Sequence, residues 1–96
     1  MIQGIWETRQ VFIDGKELLP DASQRIYNHS PDGFSWGYEG SGPAQLALAL
    51  LLYYMPKYGC PPSVYQSFKS DVIAGLPQSD FEIDERVVLD WIALKG

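Results

Sequence analysis

Cysteine and histidine are almost missing from this 96-residue chain: Cys60 and His29 are the only ones of their kinds. A lone thiol excludes an intrachain disulfide, and one of each excludes a Cys/His zinc cluster supplied by a single chain. No metal or cofactor is therefore expected. Basic residues are scarce too, with seven lysines and arginines against twelve acids for a net charge of -5. They are scattered (Arg9, Lys16, Arg25, Lys57, Lys69, Arg86, Lys95) rather than gathered into the stripe that tracks a phosphate backbone, so nucleic acid is not an expected direct partner. Long apolar runs are absent as well. The longest, Leu46 to Met55, lies between Pro43 and Pro56 and is about half the length that crosses a bilayer. No basic stretch followed by an apolar one opens the chain, so no membrane association is expected and a cytoplasmic location is.

What is present is enough for one core. The chain is 46% hydrophobic and 14% aromatic, and a domain of this mass buries roughly 65% of its unfolded surface. One domain over residues 1–96 is expected, with a β-meander over 1–40 and a helical layer over 41–96. Val11-Phe12-Ile13 runs into Asp14-Gly15, a two-residue hairpin signal, and resumes from Lys16 to Leu19. Gln24 to Asn28 reads as a third strand and Ser30-Pro31-Asp32-Gly33 as a type I turn. Phe34, Trp36 and Tyr38 then alternate with small or polar residues, which predicts a fourth strand with three rings on one face.

The helices follow. Pro43 suits a first helical position, and from Ala44 to Met55 the polar side chains are Gln45 and the hydroxyls of Tyr53 and Tyr54, as in a helix buried on most sides. Ser63 can cap a second helix, along which Tyr65, Phe68, Val72 and Leu76 recur at helical spacing before Gly75-Leu76-Pro77 ends it. Asp84 caps a third, with Val87, Val88, Trp91 and Ile92 as its apolar stripe and Arg86 and Asp90 placed to pair outside. The expected fold class is α+β: an N-terminal antiparallel meander of three to four strands packed against three C-terminal helices.

Asn28-His29-Ser30-Pro31, Phe34, Trp36-Gly37-Tyr38 and Gly40-Ser41-Gly42-Pro43-Ala44-Gln45-Leu46-Ala47-Leu48 closely resemble an uncharacterised family, domain of unknown function 6166. Tyr65, Phe68-Lys69, Leu76-Pro77 and Trp91 extend the resemblance over most of the chain. It implies a setting in bacteria, archaea, plasmids and phages, and carries over no activity or catalytic residue. Glu39 departs from the family pattern, standing where a small residue, often glycine, precedes the Gly-Ser-Gly-Pro step.

That step has two readings. A helix N-terminus offers unpaired N–H groups and the positive end of the macrodipole, so Ser41, Gly42, Ala44 and Gln45, with His29 and Trp36 at the edge, form a candidate site for an anionic group such as a nucleotide phosphate. Yet the lysine of a Walker loop and the third glycine of a dinucleotide fingerprint are missing. The favoured reading is a tight joint between a strand and a buried helix. His29 is likewise read first as a histidine pinning its turn, and a Cys60–His29 dyad lacks any orienting third group. The acids Asp80, Glu82, Asp84, Glu85 and Asp90 crowd the last segment and are either a solvated helix start or a patch for a basic partner.

Two functions are carried forward. The first is a small acidic, non-enzymatic binding protein of mobile-element type that acts on a protein partner, in its sharpest form as an inhibitor of a nucleic-acid-targeting host defence such as CRISPR, as a monomer or small homo-oligomer. The second is a small-ligand domain that binds an anionic nucleotide at the Gly-Ser-Gly-Pro helix start. With no paired general acids or credible nucleophile, an enzyme is the class least expected.

Overall fold

The computed structural model describes residues 1–54 and 64–95. It is an α+β arrangement in which a four-stranded antiparallel sheet, in the order β3-β2-β1-β4, packs one face on helices. The strands are β1 (Ile2–Ile5), β2 (Gln10–Ile13), β3 (Lys16–Leu18) and β4 (Phe81–Ile83). The helices are α1 (Asp21–Ile26), α2 (Ser41–Tyr54), α3 (Tyr65–Phe68), a π-helical turn (Lys69–Ile73) and α4 (Arg86–Lys95). Ser63 and Cys60, and with them the expected cap of the second helix and the Cys60–His29 dyad, lie outside the described residues.

The hairpin forms as its turn chemistry dictates. Asp14 and Gly15 both take positive φ, 51° and 81°, which matches the twist of the flanking strands in a two-residue turn. It sets the register Val11↔Leu18, Phe12↔Glu17 and Ile13↔Lys16. Because side chains alternate across a sheet, Ile2, Val11 and Ile13 face the core together while Gln3, Phe12 and Glu17 face outward.

Two expected strands are not strands. Gln24 to Asn28 begins inside α1, because Pro20 already has helical dihedrals (φ -75°, ψ -12°) and Asp21 favours the positive end of a helix. Gln24 N–H then donates to Pro20 O at 2.9 Å and Tyr27 N–H to Ser23 O at 2.9 Å, so the segment satisfies its backbone locally. Phe34 to Tyr38 stays irregular: Gly37 has φ +83°, and its N–H donates to Ile73 O at 3.0 Å instead of to a neighbouring strand. Phe34 and Trp36 are buried, but Tyr38 is exposed. The fourth strand comes from the far end of the chain. Phe81–Ile83 pairs antiparallel with β1, Gly4 opposite Phe81 and Gln3 opposite Glu82. Gly4 is required there, since a Cβ on it would lie 2.1 Å from the Phe81 ring.

The core is organised by α2. Leu46, Leu48, Leu50 and Leu51 have no solvent exposure, each burial stabilising by about 1.5–3 kcal/mol. Around this helix gather the sheet's inner face, Trp36, Phe68, Ile73, Val88, Trp91 and Ile92. Val87, expected in the α4 stripe, is turned outward. Among the described residues no helix is long and apolar enough to cross a membrane.

Candidate functional site

The Gly-Ser-Gly-Pro corner starts its helix earlier than Pro43 suggests. Ala44 N–H donates to Gly40 O at 3.1 Å, so Gly40 supplies the first helical acceptor and Pro43 sits inside the first turn, where no N–H is needed. The Ala44 N–H counted on for an anion is thus engaged by the helix. Gly42 is buried against the preceding segment: a Cβ on it would fall 2.7 Å from Ser35 Cβ and 3.1 Å from Ser35 N. Pro43, Ala44 and Gln45 are buried as well, Gly40 is half-buried and Ser41 is exposed.

Gln45 turns its side chain away from that corner. Its Oε1 accepts from His29 N–H at 2.8 Å and Ser30 N–H at 3.0 Å, and its Nε2 donates to Ser23 Oγ at 2.9 Å and Tyr27 O at 3.1 Å. Every hydrogen-bonding position of the amide is filled. The turn it holds is closed from the other side by Gly33 N–H to Ser30 O at 3.1 Å and Gln24 Nε2 to Ser30 O at 2.9 Å. His29 meets Gln45 through its backbone; its ring is stacked on Tyr27 with centroids 4.2 Å apart and shares a hydrogen bond with the Tyr65 hydroxyl. Trp36 goes elsewhere. It is fully buried, edge-on to Trp6 and Phe81 at 5.6 and 4.8 Å, and its indole N–H donates to Ser79 O at 2.9 Å. The six candidate ligand residues therefore do not share one cavity wall.

Two charged residues flank this region, Arg9 from far back in the sequence and Glu39 from directly before the corner. Arg9 (φ +61°) lays its guanidinium 3.5 Å from the Trp6 ring centroid, donates to Trp6 O and places Nε 3.3 Å from Ser35 Oγ, the residue packed on Gly42. Glu39 is drawn off the helix start by the π-helical turn, where the Ser70 hydroxyl donates to it at 3.3 Å and Lys69 Nζ lies at 3.1 Å. The Ser70 bond, then Lys69, hold its carboxyl below the ordinary glutamate value.

The five terminal acids separate into four settings. Asp80 and Glu82 line a cleft on the outer sheet face with Gln3, Ile5 and Phe12; Asp80 Oδ1 also accepts Trp6 N–H at 2.8 Å and Glu82 accepts from Gln3 Nε2 at 3.0 Å. Asp84 caps α4 as expected, its Oδ1 accepting Arg86 N–H at 2.9 Å. Glu85 lies near the Tyr54 phenol, which burial, followed by the Glu85 charge, pushes up to about 12. With Asp84, Glu85 also adds to the effect of Asp14, whose hydrogen bond holds the Met1 ammonium above its ordinary pKa. Asp90 pairs with Arg86 at 3.4 Å on the outside of α4, the pairing that their spacing predicts.

A protein-family model, described as a family of unknown function (DUF6166), matches residues 4–94. The chain belongs to this family. No curated protein and no solved structure matches it. Within this DUF6166 chain, the match takes in both the buried α2 corner and the acidic segment of β4 and α4.

Sequence reading overlooks Gln45 as an anchor and the outer sheet face as a surface. For the first a signal was there: a single amide in an otherwise apolar helix must be met by polar groups from another segment. For the second it was not, because the face is completed by β4, from the far end of the chain.

Proposed function

We propose that this protein is a small, non-enzymatic protein-binding module that engages a basic partner through its acidic surface, and that it acts as an inhibitor of a nucleic-acid-targeting host defence. The observation that carries this reading is the exposure of Asp80, Glu82 and Asp84 at alternate positions from just before β4 to the cap of α4, where the one nearby base in the sequence, Arg86, is paired with Asp90. Unpaired exposed charge of one sign steers an oppositely charged partner and excludes like-charged ones. Proteins that handle nucleic acid carry basic surfaces of this complementary kind. The setting in plasmids and phages that the family resemblance implies supplies the choice of target.

The nucleotide reading of the α2 corner draws support from Arg9 beside Ser35, and less from the corner itself, where one N–H is engaged and the flanking residues are buried.

A plasmid-interference assay in cells with an active nuclease defence tests the proposal. Expression of the protein is expected to raise transformation by the targeted plasmid, and Asp80→Asn/Glu82→Gln/Asp84→Asn, which keeps the acceptor oxygens at Trp6 and Arg86, to abolish the rise. Equal protection by both forms overturns the acidic-surface reading; no protection by either overturns the inhibitor role.

A further inference from the structure

We infer that the docking site is the outer face of the sheet, centred on Phe12, and that its occupant is an extended segment with two basic side chains flanking an apolar one. This rests on the binding reading above and narrows it from the whole acidic surface to one face. The strand register sets Glu17, Phe12, Gln3 and Glu82 side by side in a single row across β3, β2, β1 and β4. The next row adds Ile5, with Asp80 one residue before β4 on the same side of the cleft. An acid thus closes the row at each end, an aromatic ring sits between them, and no lysine or arginine is among these six residues. Ile5 is 37% exposed and Phe12 only partly covered, whereas the core lies wholly on the opposite face. The cleft runs from Phe12 to Asp80 and Glu82, with Glu17 beyond its rim, and measures about 350 Å³.

The geometry selects the occupant. Strands are spaced about 4.8 Å apart, so the outer strands that carry Glu17 and Glu82 lie about 14 Å apart, the span of four residues of extended chain. In such a chain positions i, i+2 and i+4 point the same way. A segment of the form Arg-x-apolar-x-Arg laid across the strands places its guanidinium groups at Glu17 and Glu82 and its apolar side chain between Phe12 and Gln3. Asp84, Glu85 and Asp90 are left out, since they serve the α4 cap, the Tyr54 side and the Arg86 pair.

The test is an NMR titration of the intact protein with a synthetic peptide carrying Arg-Ser-Leu-Ser-Arg, alongside a control with both arginines replaced by glutamate. Expected are amide shifts concentrated at Gln3, Phe12, Glu17 and Glu82, loss of binding with the control peptide, and weakening by about tenfold or more in Glu17→Lys/Glu82→Lys, two reversed exposed charges. Phe12→Ser is expected to weaken binding at high salt as well as low, since the apolar contact is not screened. Both glutamates are exposed, so the charge variant keeps its fold, which the dispersion of the same spectra verifies. Shifts confined to Asp84, Glu85 and Asp90 overturn the sheet-face assignment and leave the acidic-surface reading standing. Absence of shifts anywhere, or equal binding of the glutamate control, overturns both.

Discussion

Gln45 joins two parts of the molecule that have little else in common. Its side chain has no solvent exposure, and it ties Ser23, Tyr27, His29 and Ser30 to a helix that is otherwise apolar. Without it, α1 and the following turn would dock on α2 mainly through Ser23 and a shallow apolar groove, with Ile26 and Tyr27 each 60% exposed. Gln45→Leu keeps most of the volume and removes all four bonds. Two N–H groups, a hydroxyl and a carbonyl then lose a partner, and since the partly buried ones regain some of that from water, the expected loss is about 2–4 kcal/mol. Urea denaturation measures it, and a loss under about 1 kcal/mol would show that the amide is not the anchor. The His29 ring, bonded to Tyr65 rather than to the loop, is expected to respond as well: its NMR signals should shift in the variant because the backbone holding it is released.

At the scale of elements, the segment ahead of α2 is fastened at one end by Gly42 on Ser35 and at the other by the π-helical turn. There Ala74 N–H donates to Lys69 O at 2.8 Å, the wide pitch of a π-turn, and Ile73 O, which accepts Gly37 N–H, holds the incoming chain together with Lys69 and Ser70, which meet Glu39. Glu39 makes this clamp sensitive to pH. Its folded pKa is depressed, first by the Ser70 bond and then by Lys69, so its contribution is complete above the unfolded value of 4.5 and is lost as pH falls through the lower folded value. Glu39→Gln is therefore expected to flatten that acid-side decline in thermal midpoint while changing little at neutral pH, where an exposed pair contributes modestly. An unchanged slope below the unfolded pKa would remove Glu39 from the clamp. The same elements show what the sequence makes legible. Asp14-Gly15 names its turn, the apolar run names α2, and Asp84 names the start of α4, because each signal is local. Gln24 to Asn28 misleads because a two-turn segment shows little periodicity, and its backbone bonds are settled by Pro20 and Gln45. Phe34 to Tyr38 alternates like a strand but has no strand beside it. Of the candidate site, the buried joint was legible from its glycines, whereas Arg9, Ser35, Lys69 and Ser70 meet it only through the fold.

For the molecule as a whole, the decisive contact is the pairing of β4 with β1. It joins residues about eighty positions apart, places Phe81 over Gly4 and beneath Trp36, and adds Glu82 to the outward row that Glu17 begins. The acidic face is consequently not a property of either half of the chain; it exists only when the two ends are paired. A face assembled this way has to be as stable as the core or it would be lost in local openings. The burial pattern supports that stability, since Ile2, Val11, Phe81 and Val88 share one cluster with α2, whereas α1 is six residues long with most of its side chains exposed. Native-state hydrogen exchange is expected to show two classes of amide. Those of β1, β4 and the middle of α2 should exchange with one common opening free energy equal to global unfolding, and those of α1 by smaller local openings with a weaker dependence on denaturant. If β4 amides instead exchanged as readily as those of α1, the outer row would be intermittently broken, and a partner would have to select the paired state at a corresponding loss of affinity.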